Sequence, residues 1–420
     1  MTTTARTSDD HSAAAVHEAR RFFPQLEGMR ALAAIGVLTT HVAFQTRAVG
    51  LPVVGPVLGR LDLAVALFFA LSGFLLWRPW VAAAHASVRH PSVRRYLAHR
   101  VVRIWPAYVV VVVLVLTLLP DAKNADLTVW LANLTLTQVF VPLSLTAGLT
   151  QMWSLSVEVA FYALLPLIGF ALVRVRVGRR VPALIALGAL SLGWAWVALA
   201  LPVPAGVEPK NWVFGHLPWF IAGLILAEVA GAIELDEHRP VARWLRIVTR
   251  IGSRRWLMAA VLLIAYVLAC TPIAGPTGLG ALSPIQFATK MVLGAICGYA
   301  LLAPLVCGDG PFRFLTSRVM LALGRWSYGI FIWHLAVLAV VFPLFGIVPF
   351  GGDFLLVWVI TLALTIGVSA ASYAFIEDPA RRWLRSREKR SHERRRARAE
   401  APSETVTSQT VSDTAINAGS

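Results

Sequence analysis

From Leu26 onward the chain alternates apolar runs with short connections rich in arginine, proline and glycine. The runs are about 20 residues long, enough for a helix rising about 1.5 Å per residue to cross the roughly 30 Å hydrocarbon core of a bilayer. Ten are readable: Leu26–Phe44, Leu61–Ala83, Val101–Leu119, Trp153–Val173, Val181–Leu201, Trp212–Ile233, Trp256–Ile273, Ile285–Val306, Trp326–Ile347 and Phe354–Ile376. An eleventh stretch, Leu127–Leu149, carries Asn133, Thr135, Thr137, Gln138 and Ser144 and is broken by Pro142. It is too polar to span and is expected to lie partly inserted at the outer face.

Lysine and arginine accumulate in cytoplasmic connections, so their placement sets direction. With ten spans and a cytoplasmic N-terminus, the inner connections hold Arg89, Arg94, Arg95 and Arg100, then Arg174, Arg176, Arg179 and Arg180, then the arginines from Arg239 to Arg255, then Arg313 and Arg318. The outer connections hold only Arg47, Arg60, Lys123 and Lys210. An eleventh crossing would invert everything after it. The expected architecture is an all-α polytopic membrane bundle of about ten transmembrane helices with both termini cytoplasmic.

Composition agrees with this reading: 57% of residues are hydrophobic and 14% charged, against about a quarter charged in an ordinary soluble domain. The formal net charge of +16 would suggest nucleic acid in a soluble chain. Here most arginines flank apolar spans, and the expected partner is the lipid bilayer, not nucleic acid. Cys270, Cys297 and Cys307 have neither metal-ligand spacing nor a disulfide framework, so no metal site is expected and they read as packing residues. Residues 1–21 form a polar tail without the apolar core of a cleaved leader. Residues 22–384 are the membrane domain, and residues 385–420, Arg-rich and then Ser/Thr-rich, are expected to be a disordered tail.

Ionisable groups inside a bilayer are costly and mark function by default. His41 lies eleven residues after Arg30, about 16 Å along the first span and close to the outer surface. Glu158 follows Trp153 by five residues in a span running the other way, about 8 Å below that surface, so the two are expected at one level. On the inner side Arg100 and Arg103 share a helix face, and Arg325 opens the ninth span. Ser72 and His334 are expected between these layers, His334 about 12 Å in from the inner end. Ser72-Gly73 reads as a small-residue packing notch and not a nucleophile. Glu27 pairs locally with Arg30, and Glu377-Asp378-Pro379 is expected to end the last helix. Such layering suits a phosphate-bearing donor held by arginines on one side and a neutral histidine that takes a proton from a hydroxyl on the other, with a carboxylate to orient it.

Six segments, in order, resemble the acyltransferase-3 family of integral membrane O-acyltransferases. They are Leu26-Glu27-Gly28-Met29-Arg30 with its Arg-x10-His pair Arg30 and His41, Leu67 to Leu76, Arg100-Val101-Val102-Arg103, Trp153-Ser154-Leu155-Ser156-Val157-Glu158, Leu323 to His334, and Ser372 to Pro379. Two departures stand out: Glu27 where Asp is usual, and Val159-Ala160 in place of Glu-Gln.

The resemblance implies transfer of an acyl group, commonly acetyl from acetyl-CoA, to a hydroxyl of a cell-envelope glycan, glycolipid or sugar-bearing metabolite, in a bacterial plasma membrane. On it, His41 and Glu158 are the catalytic pair, with His41 as general base or as acyl-histidine nucleophile. The resemblance also marks Arg30, Arg100 and Arg103 as functional; these, with help from Arg325, are expected to bind acyl-CoA, and Trp153, Ser154, Ser72 and His334 are candidate acceptor-binding residues. The alternative is a transporter or flippase using the same buried polar residues as a substrate or proton path.

Overall fold

Each of the ten apolar runs is helical, in a computed structural model that describes residues 22–85, 90–234, 243–278 and 280–400. Among the described residues there is no strand. In chain order the helices are α1 (Pro24–Gln45), α2 (Val54–Arg60), α3 (Ala64–His85), α4 (Val93–Leu118), α5 (Leu127–Leu134), α6 (Trp153–Leu172), α7 (Val177–Leu192) and α8 (Trp194–Ala200). They continue with α9 (Val213–Glu234), α10 (Arg243–Ser253), α11 (Arg255–Ala269), α12 (Pro284–Cys307), α13 (Arg318–Leu344), α14 (Phe354–Ser372) and α15 (Asp378–Glu400).

Eight helical stretches are long and apolar enough to cross a membrane, nine if α10 and α11, which meet at 79°, count as one span. The remaining run is α1, whose Glu27, Arg30 and His41 lower its hydropathy. It lies against α13, α3 and α14, so its polar groups meet protein rather than lipid. The stretch Leu127–Leu149 does not cross: α5 is eight residues long and turns follow it. Asn133 Nδ2 donates to the Ser144 carbonyl at 2.8 Å, and Tyr108 Oη donates to the Asn133 carbonyl at 2.7 Å, which ties the segment onto α4.

Small residues bring the helices that carry the polar groups into backbone contact, as membrane packing favours. A Cβ on Gly28 would collide with the Leu315 carbonyl, and one on Gly324 with the Glu27 carbonyl, so α1 and α13 run side by side from their first turns. The α3–α9 crossing is equally close: a Cβ on Gly223 would meet the Ala70 carbonyl and one on Gly73 the Phe220 carbonyl. Gly73 thus supplies the notch expected of Ser72-Gly73.

Three expectations are corrected. The ninth span starts at Arg318 and not at Trp326, because Ser317 caps it through its hydroxyl and the turn before Trp326 is helical. Glu377-Asp378-Pro379 does not end the chain's last helix. A π turn over Tyr373–Glu377 leads directly into α15, where Pro379 occupies the first turn and needs no N–H partner. The basic tail is therefore helical as far as Glu400, held by i,i+4 pairs such as Arg382 with Asp378, and by the Glu388 carboxylate. Glu388 accepts from Arg95 Nε and Nη2 at 2.9 and 3.1 Å and from His99 Nε2 at 2.9 Å. Residues 1–21 and 401–420 lie outside the described residues.

Candidate active site

Two polar centres occupy different depths of the bundle. The first joins His41 of α1 and His334 of α13, whose facing nitrogens, His334 Nε2 and His41 Nδ1, are 3.2 Å apart. With α13 beginning at Arg318, His334 stands sixteen residues along its helix, about 24 Å, and His41 stands seventeen residues along α1, about 26 Å. The expected difference in depth between them therefore disappears.

The hydrogen-bond pattern fixes both tautomers. His334 Nδ1 lies 2.7 Å from the Phe331 carbonyl and 3.2 Å from that of Ile330, and a carbonyl only accepts, so Nδ1 carries the proton. In the neutral ring Nε2 of His334 is then an acceptor. His41 Nδ1 lies 2.8 Å from the Val37 carbonyl and so must also be the protonated nitrogen, its N–H shared between Val37 and His334. The unprotonated nitrogen of His41 is Nε2.

The second centre is built around Glu158 of α6. Ser72 Oγ of α3 and Tyr162 Oη, one turn further along α6 and 2.6 Å away, both donate to Glu158 Oε1. Glu158 lines a cavity of about 50 Å³ together with Arg30, Arg103, Ser72, Ser154 and Tyr162. Tyr328 closes one side and donates to the Ile104 carbonyl at 2.7 Å. Hydrogen bonds from two hydroxyls, each worth about 1.5–3 kcal/mol to a charged acceptor, fix the half-buried carboxylate in one position on the cavity wall. Arg30 also faces Glu27, Nη1 to Oε1 3.6 Å, and the Arg100 guanidinium stands 5.8 Å from the Tyr162 ring centre.

Phe331 separates the two centres. Its ring lines the Glu158 cavity, packs edge-on against Phe68 at 6.0 Å, and lies 6.0 Å from the His334 ring. The structure thus brings Arg30, Arg103, Ser72, Ser154 and Glu158 together, with Arg100 behind Tyr162. It does not join Glu158 to His41 by a hydrogen bond, and His41 is not on the cavity wall. The reason is that α6 begins inside the bundle: Gln151, just before Trp153, donates to the Ile332 carbonyl at 3.1 Å, already at the level of His334, so Glu158 lies deeper still. The carboxylate whose charge reaches His41 is Asp62, held by Lys290 at 2.6 Å.

Arg325 is exposed and is not on the wall of the Glu158 cavity, because seven residues of α13 precede it where an opening position was expected. Trp153 packs 5.1 Å from His216, in an aromatic cluster away from the cavity. Tyr162, Tyr328, Asp62 and Phe331 take part without having been expected, although Tyr328 and Phe331 lie inside the Leu323 to His334 motif. No group of three or more His, Cys, Asp or Glu among the described residues could hold a metal ion.

Residues 23–374 match the acyltransferase domain of the acyltransferase-3 family. The chain is 26% identical over 394 residues to the peptidoglycan O-acetyltransferase OatA of Listeria monocytogenes, covering 86% of this chain and 56% of that protein. To the O-acetyltransferase OatA of Staphylococcus aureus it is 24% identical over 389 residues, covering 86% and 58% respectively. The chain thus spans a little over half the length of these relatives. No solved structure matches it.

Proposed function

The chain belongs to the acyltransferase-3 family, and from that premise we propose that it is a membrane O-acyltransferase that moves an acetyl group from an acyl-CoA to a hydroxyl of a bacterial cell-envelope glycan. The relatives support the acceptor class, since one is a peptidoglycan O-acetyltransferase by name. The observation that carries the chemistry is the fixed tautomer of His41: two acceptors hold its Nδ1–H, which leaves Nε2 as a base.

In the proposed reaction the acceptor hydroxyl gives its proton to His41 Nε2 as its oxygen attacks the thioester carbonyl. The C–S bond then breaks, and the departing thiolate takes the proton back from the imidazolium, leaving an ester and free CoA thiol. His334 Nε2 accepts the His41 Nδ1–H throughout and supports the cation, the place expected of Glu158. Arg30, Arg100 and Arg103 meet the donor's phosphates through their forked N–H groups, with Glu158 as counter-charge to Arg30. Both termini, and with them the arginine end, face the cytoplasm; the His41 end faces outward.

Purified protein in lipid, given acetyl-CoA and glycan acceptor, is expected to release CoA thiol in proportion to ester formed. His41→Ala, with its fold verified, lowers that release by about 10²–10⁴. Full activity in that variant overturns the assignment, and gradient-driven substrate movement without thiol release makes the protein a transporter.

A further inference from the structure

Arg103 has a neighbourhood wider than the Glu158 cavity. Its helix, α4, packs against both the π turn Tyr373–Glu377 and α15. The charge of Arg103 acts on Glu377 and Arg381 as well as on Arg30 and Arg100. Arg103 thus links two ion pairs, Arg30 with Glu27 at 3.6 Å and Arg381 with Glu377 at 3.5 Å, and Arg100 stands one turn before it on α4.

The cluster is incompletely paired. The Nε atoms of Arg30, Arg100 and Arg381 are all buried without a hydrogen-bond partner. Glu377, only 1% exposed, uses Oε2 on Arg381 at 3.5 Å, while its Oε1 has no partner. Buried N–H groups left unmade are expensive, and three on one cluster of cations ask for an anion with several oxygens. The local backbone points the same way, since a π turn inside a helix is rare and is found at functional sites. Here it turns Glu377 inward and hands Arg381 to the same junction. Arg381 is 30% exposed, which makes it the member nearest the surface.

We infer that the junction of α4, the π turn and α15 is a phosphate-binding site, in which Arg381 is the outermost of four arginine ligands and Glu377 is the carboxylate that a phosphate displaces. The inference deepens the proposed function and rests on it for the identity of the phosphate, the nucleotide end of an acyl-CoA. The headgroup of an anionic phospholipid offers the same chemistry. Arg381 takes the place expected of Arg325. The clamp of Glu388 on Arg95 and His99 sets α15, and so Arg381, against α4.

The test is binding to full-length protein in phosphatidylcholine nanodiscs, titrated with coenzyme A, pantetheine or pyrophosphate, and repeated with phosphatidylglycerol in the bilayer. Arg381→Gln is expected to weaken coenzyme A and pyrophosphate by about tenfold or more, the worth of a charged hydrogen bond, and to leave pantetheine unchanged. Glu377→Gln removes the competing carboxylate and is expected to tighten both phosphate probes, a gain that a purely structural role for Glu377 does not produce. Arg382→Gln, the same charge change on a side chain 75% exposed, is the control. Unchanged phosphate affinity in folded Arg381→Gln, or weaker binding in Glu377→Gln, overturns the site while leaving the acyl-CoA reading intact. Pyrophosphate binding that depends on Arg381 and is competed by phosphatidylglycerol but not by coenzyme A upholds the site, assigns it to a lipid headgroup and overturns the donor reading.

Discussion

At His41 one hydrogen atom faces two acceptors. Because Val37 and His334 both draw on the Nδ1–H, the ring can neither flip nor change tautomer without losing a bond, so its Nε2 stays a base in one orientation. Removing the second acceptor tests this directly. His334→Leu is expected to lower kcat by about 10²-fold with little change in the KM for donor, and to move the pH profile of kcat. His334→Gln can present an amide oxygen to the same N–H and is expected to recover part of the rate. Glu158 serves as contrast, since Glu158→Gln disturbs Ser72, Tyr162 and Arg30 but no bond to His41. That change is expected to act on donor binding and to leave the pH profile in place; a profile that follows Glu158 rather than His334 would reverse the two roles. The identity of the polar residues was legible in the sequence because each ionisable group stands out against aliphatic neighbours. Their partners were not, because depth was counted from the wrong helix ends: eight uncounted residues at the start of α13 moved His334 to His41, and a buried start to α6 moved Glu158 away.

Helices here are positioned by what is missing from them. Gly223 and Gly73 let α3 and α9 touch backbone to backbone, and Ser72, beside that crossing, is thereby aimed at Glu158. Gly223→Ala places a methyl against the Ala70 carbonyl and the Phe74 N–H, neither of which can yield. It is expected to cost several degrees in the thermal midpoint in detergent and to lower activity along with it. Gly367→Ala in α14 meets nothing within 4 Å and replaces the weaker helix former, so it is expected to be neutral or stabilising by up to about 1 kcal/mol. Equal effects at both positions would mean that close approach does not set the α3–α9 geometry. The apolar runs made these helices readable, since length and hydropathy are local properties. The π turn was not readable: Glu377-Asp378-Pro379 has the composition of a helix stop, and only the packing of α4 against it shows why the chain continues into α15 instead.

Across the whole molecule the two polar centres lie at different depths, with the arginines toward the first turns of α1 and α13 and the histidines toward their last. Arg30 and His41 are about 16 Å apart along α1, a distance an extended pantetheine arm can bridge. The Glu158 cavity, however, has a volume of about 50 Å³, room for a few waters and not for a pantetheine arm, and Phe331 and Phe68 stand between it and His334. On the proposed mechanism a thioester reaches His41 only when those two rings part, so the closed bundle keeps donor and acceptor on opposite sides. Sidedness of the donor follows. In inside-out vesicles, acetyl-CoA added to the medium is expected to support thiol release, and in right-side-out vesicles it does so only after permeabilisation. A cysteine placed at Leu51, beyond the His41 end of α1, is expected to react with an impermeant thiol reagent on intact cells, and one at Ser386 of α15 only in broken cells, with Cys270, Cys297 and Cys307 first replaced. Donor use from the outer face, or labelling at Ser386 on intact cells, would place the arginine cluster where no CoA can reach it and would remove the basis for reading it as the donor's entrance.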